Sequence, residues 1–466
     1  MPEPLYLSDG IRRIEEAARD AVPPLMERAG AAVAAAAARL ASSRNKDVLV
    51  LAGPGNNGGD ARIAAARLAE QFFRVTLVTT PAEIPSLRNW GLVVDGLFGI
   101  GLKRPVEGSH AELVRYANQQ PCAILAIDVP SGLDADTGRV LGCAVRATHT
   151  ITFLALKPGL LTLDGPDCSG EISVDPLGLE VRELAAAPGW VADPGLFPEA
   201  LKKRPRNFHK GNAGSLGILG GASGMSGAAL LAGRAALKLG AGRVYVGLLQ
   251  ENAPGIDPAA PELMLRHADD ALGQDLDALV VGPGLGQGER AETLLAAALA
   301  SDLPCVLDAD ALNLMSDNAD LRRACARRKA ETIVTPHPAE AGRLLNQATA
   351  EVQANRIEAA RRLAGELNAH AVLKGNGSIV AARGGRWYVN RSGNPGMASA
   401  GMGDVLAGLL GALLAQRLPG EAAAVLGVHL HGAAADDCAA GGRGPVGLTA
   451  SELLEPARRI WNSWLR

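Results

Sequence analysis

A two-domain α/β fold is what this sequence predicts, on three observations. Short apolar runs ending in Gly- or Asp-rich turns recur in both halves, and the stretches between them carry helical spacing. The chain also has 466 residues, more than one hydrophobic core usually organises. Many glycines (56) beside few aromatics (3%) point the same way, because close helix-on-sheet packing and tight turns need small side chains.

Taken in order, DVLVLAGPGNNGGD, RVTLVTT, LVVDGLFGIG and CAILAIDVPSG read as buried parallel strands that end in turns. Residues 60–71 and 109–119 between them have helical spacing, and an Ala-rich segment at 27–41 reads as a packing helix ahead of the first strand. The economical architecture is a doubly wound sheet with functional loops at strand C-ends. Between about 178 and 206 the periodicity fades into a Pro-rich, basic stretch expected of a linker, which sets a boundary near Phe197 and domains 1–197 and 198–466. The rhythm then resumes with SLGILGGASGMSG, GRVYVGLL, DALVVGPGLG, PCVLDADALN, ETIVTPHPAE and HAVLKGNGSIV, a second α/β sheet, and closes with SGNPGMASAGMGD running into an apolar helix.

Composition narrows the partners. Acids exceed bases by only three, with both signs scattered, so nucleic acid is not expected to bind. The longest apolar run, Leu406 to Ala415, is too short to span a bilayer and the N-terminus has no signal pattern, so no membrane partner and a cytoplasmic address are expected. Six widely spaced cysteines suit neither a metal site nor a disulfide scaffold and read as reduced, mostly buried thiols. A homo-oligomer is the expectation for assembly.

In SAGMGDVLAGLL, glycines precede a helix whose free N–H groups and dipole can face an anion. Asp404 in that first turn is either a partner for the helix end, worth about 0.3–1 kcal/mol, or a base beside a phosphate-binding nest. Three further Gly-rich turns, Gly221 to Ala229, Gly282 to Gly286 and Lys374 to Val380, suggest an extended ligand crevice on one sheet.

Together HKGNAG, GASGMSGAA, GPGLG, DADALN, TPHPAE, KGNGS and GNPGMASAGMGDVLAG, in that order from about Phe208 to Leu454, resemble the ribokinase-like superfamily, and within it the ADP- or ATP-dependent NAD(P)H-hydrate dehydratases. Alanine at 339 and 400 stands where glycine is expected in close relatives. The resemblance implies that Lys374, Gly375, Asn376, Gly377, Ser378 and Gly403 contact the adenosine nucleotide, ADP or ATP. It places Ala228, Gly284, His337 and Asp404 on the hydrated nicotinamide nucleotide, with Asp404 as the base that takes the C6 hydroxyl proton. Phosphoryl transfer relies on positioning and charge neutralisation, so Mg2+ is expected with the nucleotide, and Glu340 and Asp308 are either its holders or ordinary strand-end and cap carboxylates.

In the first half, GPGNNGGDA follows a strand and opens a helix, but it is not the G-x-G-x-x-G dinucleotide pattern. Its two asparagines and Asp60 add oxygen ligands suited to a hard cation, against the plain alternative of a tight Asn-Gly turn. Asp95, Asp128 and Ser131 sit at other strand ends that converge in a doubly wound sheet. With PGNNGGD, VDGLFGIG and DVPSGLD, residues from about Ile11 to Gly178 resemble the NAD(P)H-hydrate epimerases, whose Rossmann-like domain binds potassium. That resemblance implies K+ on Asn57, Asp95 and Ser131. It implies hydrate contacts from Asn56, Asn57, Gly58, Gly59 and Asp60, from Gly99, Ile100, Gly101, Leu102, Lys103, Arg104 and Pro105, and from Asp128. Asp128 is the candidate proton-handling group in inversion at C6, where a carboxylate can assist loss and return of either a proton or water. The implied whole is a bifunctional repair enzyme for NADHX and NADPHX: an epimerase interconverting R and S hydrates, followed by a dehydratase consuming the S form. A true small-molecule kinase and a nucleotide-sensing protein remain as alternatives from the residues alone.

Overall fold

The structure is a computed structural model that describes residues 2–41, 45–86 and 89–466. The chain forms two compact units, Glu3–Trp190 and Val191–Arg466.

In the first unit six strands, β1 (Asp47–Ala52), β2 (Arg74–Val78), β3 (Leu92–Gly96), β4 (Ala123–Ile127), β5 (His149–Phe153) and β6 (Glu171–Asp175), form one parallel sheet of order β2-β1-β3-β4-β5-β6. Helix α1 spans Ser8–Ala17, α2 Leu25–Leu40, α3 Asn56–Glu70 and α4 Gly108–Asn118. Val48, Val50, Leu92 and Val94 pack under α2 and α3, while Leu49, Leu51 and Val93 pack under α4, so the sheet is covered on both faces. A strand buried on both faces reads as an unbroken apolar run, which is why DVLVLA carries no polar alternation. Each fully buried leucine here is worth about 1.5–3 kcal/mol. The winding reverses between β1 and β3, and a crevice opens at the strand C-ends beside such a reversal.

In the second unit β7 (Ser215–Gly220), β8 (Arg243–Leu248), β9 (Met264–His267), β10 (Ala278–Val281), β11 (Cys305–Leu307), β12 (Thr332–Val334) and β13 (His370–Leu373) are parallel, in the order β9-β8-β7-β10-β11-β12-β13. The edge continues as an antiparallel meander through β14 (Ile379–Ala381) and β15 (Trp387–Val389). Its helices include α5 (Ser226–Lys238), α6 (Asp310–Asp317), α7 (Pro338–Leu345), α8 (Arg356–Leu367), α9 (Met402–Ala415) and α10 (Gly420–Ala439). Helix α9 is buried almost all round, as its apolar sequence demands. Gly408 lets it approach α5: a Cβ there would lie 2.1 Å from the Ala232 carbonyl oxygen.

The Pro-rich segment is more structured than a linker. It holds a short helix at Val181–Leu184 and a strand at Gly189–Val191 whose first two residues pair with Pro4–Leu5, because Gly189 and Val191 are buried. Cys168, Cys305 and Cys325 are buried, Cys122, Cys143 and Cys438 half-buried, and all six are free thiols. Among the described residues no helix is long and apolar enough to cross a membrane.

Candidate active sites

In the first unit, Gly55 precedes α3 without a side-chain cap, so the helix opens with free backbone donors at the β1 C-end. Around it lies a cavity of about 340 Å³ lined by Asn56, Asn57, Asp60, Gly99, Ile100, Gly101, Leu102 and Asp128, with Arg12, Glu15 and Lys157 among the other walls. Gly58 and Gly59, on the first turn of α3, are not part of that lining, and neither are Lys103, Arg104 and Pro105 of the loop after β3. Lys103 is exposed, 3.8 Å from Asp136.

Asp95, at the end of β3, is wholly buried. Its Oδ1 accepts from Ser131 Oγ at 2.6 Å and its Oδ2 from the Ser131 amide at 2.8 Å. Burial pushes its carboxyl up to about 6, only partly offset by these hydrogen bonds. The Asn57 side-chain nitrogen is buried with no hydrogen-bond partner among the described residues. Neutral oxygens around one buried carboxylate suit a large monovalent cation better than a transition metal. No cluster of three His, Cys, Asp or Glu side chains able to hold a metal occurs among the described residues.

Asp128 follows β4 with φ of +65°, a strained backbone of the kind held at functional positions. Its Oδ1 accepts from Lys157 Nζ at 2.5 Å, Thr152 Oγ1 at 3.3 Å and the Phe153 amide at 3.4 Å. Burial, then the charges of Asp128 and Glu15, drive Asp60 up to about 8, so it carries its proton at neutral pH. Burial and Asp128 likewise raise Glu15. Lys157 and Glu15 escape a motif reading; the one available signal is a lone lysine inside the apolar run TFLALKPGLL, where a buried charge requires a partner.

In the second unit the expected residues gather in two groups. At the reversal between β7 and β10, Gly284 and Ala228 meet: a Cβ on Gly284, whose φ is +57°, would lie 3.3 Å from the Ala228 Cβ. Further along, Lys374 after β13 donates to Asp308 Oδ1 at 2.8 Å and stands 4.0 Å from Glu340. Thr335 donates to the same Asp308 oxygen at 2.7 Å. Gly403 borders this cluster, since a Cβ there would lie 3.5 Å from Lys374 Nζ and 3.7 Å from Asp308 Oδ2. Gly401, in the left-handed region at φ +85°, opens α9 with no side-chain cap and packs against Leu231 of α5, linking the two groups.

Burial, then Asp308, raises Asp404 to about 6, with Lys374 opposing. Burial disfavours the Lys374 ammonium, but Asp308, Glu340 and Asp404 outweigh it and hold its pKa above the ordinary lysine value. Burial raises Glu340 against the pull of Lys374. His337 also shapes the backbone: its Nδ1 accepts from the Ala339 and Glu340 amides at 3.1 and 3.3 Å, capping α7, while its Nε2 lies 3.3 Å from Glu340 Oε1 and the side chain stays half-exposed. Burial and Lys374 lower its pKa, so it caps as a neutral acceptor. The Lys374–Ser378 turn closes on itself through Ser378 Oγ, which donates to the Gly375 carbonyl at 3.0 Å. Beneath it lies Arg356, buried and donating to the carbonyls of Leu373, Lys374 and Gly377. Sequence reasoning passes over Arg356, one arginine among several in an amphipathic helix.

A doubly wound unit with an oxygen-lined cavity, followed by a unit whose glycine turns and uncapped helix surround a carboxylate–lysine cluster, defines a two-site enzyme of small anionic ligands. Comparison with known proteins gives the family. A profile described as NAD(P)H-hydrate dehydratase matches residues 216–457, and one described as YjeF-related protein N-terminus matches residues 23–91 and 81–159. The bifunctional NAD(P)H-hydrate repair enzyme of Escherichia coli (strain K12) is 38% identical, covering 99% of this chain and 95% of that protein. Its namesake from Coxiella burnetii is 38% identical over 98% and 99% of the two chains. The crystal structure of the ADP/ATP-dependent NAD(P)H-hydrate dehydratase from Bacillus subtilis, co-crystallised with ATP/Mg2+, superposes with a TM-score of 0.53 at 31% identity, covering 59% of this chain and 98% of that one. A ribokinase-like superfamily protein from Enterococcus faecalis V583, 24% identical with a TM-score of 0.53 over 60% of this chain and 98% of its own, shares the fold. The chain belongs to the family of bifunctional NAD(P)H-hydrate repair enzymes. It pairs an epimerase unit with an NAD(P)H-hydrate dehydratase unit of ribokinase-like fold.

Proposed function

We propose that the first unit inverts the C6 configuration of hydrated NADH and NADPH around Asp128, and that the second removes the water from the S form with Asp404 as base. The observation that carries the reading is Asp404 itself, raised to about 6 at an uncapped helix N-terminus beside the Lys374–Asp308 pair. Poised near the working pH, it accepts the C6 hydroxyl proton while that oxygen attacks the terminal phosphoryl group of ADP or ATP. The α9 amides and Lys374 hold the phosphate charge. Push from the ring nitrogen then expels phosphate from C6, and loss of a proton from the neighbouring ring carbon restores the reduced nicotinamide.

Mg2+ would travel with the nucleotide and neutralise its phosphates. Asp308 fits as its protein ligand, because Oδ1 is engaged by Lys374 and Thr335 while Oδ2 faces Gly403. Asn57, Asp95 and Ser131 would hold K+, which supplies the counter-charge that the buried Asp95 lacks. Asn56, Asn57, Asp60, Asp128 and the Gly99–Leu102 segment would line the hydrate, with Lys103 and Arg104 reaching its pyrophosphate from outside the cavity. Ala228, Gly284 and the half-exposed His337 would flank the hydrate in the second unit, and Lys374 to Ser378 with Gly403 the nucleotide. The reading places the enzyme in the cytoplasm as a homo-oligomer.

Asp404→Asn tests it. The variant should bind nucleotide as the parent does and lose about 10²- to 10⁴-fold in dehydration of the S-hydrate; undiminished turnover would refute the assignment.

A further inference from the structure

Lys157 belongs to no motif, yet it is wholly buried at the wall of the first unit's cavity. An ammonium has three donors and no acceptor. Those of Lys157 go to Asp128 Oδ1 at 2.5 Å, the Phe153 carbonyl at 2.7 Å and Thr152 Oγ1 at 2.9 Å. None is left for a ligand, so Lys157 acts through Asp128 or only as structure.

The two oxygens of Asp128 differ sharply. Oδ1 takes the lysine, the Thr152 hydroxyl and the Phe153 amide. Oδ2 accepts no hydrogen bond from the described residues and turns to the Gly99 turn, where a Cβ would lie 3.3 Å from it and 3.2 Å from Asn57 Oδ1. The backbone of Asp128, at φ +65°, is held in a conformation that side chains rarely adopt, and the buried ion pair is what fixes the carboxylate's rotation there.

We infer that Lys157 is a positioning residue for epimerisation: it clamps Oδ1 of Asp128 and leaves Oδ2 as the single carboxylate oxygen presented to the C6 hydroxyl of the hydrate. This rests on the reading of Asp128 as the proton-handling group. It also accounts for a charged lysine within the otherwise apolar run FLALKPGLL.

The test is a double-mutant cycle on the full-length chain, following R-to-S conversion above the spontaneous rate. Lys157→Met should cut kcat about 100-fold or more with KM changed less than about threefold, and should add nothing to the loss caused by Asp128→Asn. Full kcat in Lys157→Met overturns the inference, as does an equal further loss in the Asp128→Asn background, which would make the lysine's role independent of the carboxylate. Unchanged conversion in Asp128→Asn alone instead defeats the parent reading of Asp128. Should Lys157→Met not fold, Thr152→Val decides the matter: it removes one partner of both groups and should lower kcat several-fold at constant KM, and an unaltered kcat would sink the clamp.

Discussion

Asp404 shows what a single residue can carry. Its elevated pKa has a sign that can be checked twice. As a base it must be deprotonated, so S-hydrate dehydration by the free enzyme should rise with pH through about 6 rather than through the ordinary carboxylate range, and the limb should vanish in Asp404→Asn. For the fold the shift works the other way. The folded chain holds that proton more tightly than the unfolded one, so Asp404 costs stability as pH climbs from about 4, its unfolded value, to about 6. Asp404→Asn should therefore gain more in Tm at pH 8 than at pH 5, and a gain confined to pH 5 would contradict the electrostatic picture. Asp404 and Asp128 are legible in the sequence because glycine-rich turns flag them. Lys157 is not, because its partner lies 29 residues away and only the closing of β4 on β5 joins them. His337 is legible as a residue, but its capping bonds to α7 emerge only with coordinates.

At the scale of the element, buried groups hold the turns and helix ends that the proposed reading assigns to binding. Arg356 on α8 spans the nucleotide turn from beneath, and Gly375 sits so close that a Cβ would meet the guanidinium at 2.7 Å. Burial lowers its pKa to about 10, with no carboxylate paired to it among the described residues. On the proposed reading, the nucleotide's phosphates would balance its charge. Arg356→Met should raise the nucleotide KM about tenfold with little change in kcat, and Arg356→Lys should recover part of the loss; equal kcat loss in both would mean general damage. On the proposed reading, the end of β3 and the turn after β4 would similarly hold K+. Epimerisation should fall when K+ is replaced by a bulky organic cation, and Asp95→Asn should lose that response; indifference to K+ in the parent would remove the ion from the account. The strands and α9 could be read from apolar runs, since burial on both faces leaves that imprint. The strand at Gly189–Val191 could not, because a three-residue element surrounded by prolines has no period to detect.

Over the whole molecule, each unit has its own core and its own sheet reversal, which is why the motifs of each fall together in chain order; the residues alone left a kinase and a nucleotide sensor open, and the family resemblance supplied the two chemistries. The separation makes a prediction: Asp128→Ala should abolish epimerisation and leave dehydration of the S-hydrate intact, and loss of both activities would argue against independent sites. The central claim is tested most directly by incubating a mixture of R- and S-hydrated NADH with ADP or ATP and magnesium and following the reduced-nicotinamide absorbance. The account predicts full recovery with the parent chain, recovery of only the S fraction beyond the spontaneous rate with Asp128→Ala, and none without nucleotide. Recovery that needs no nucleotide, or nucleotide binding with no recovery at all, would contradict it.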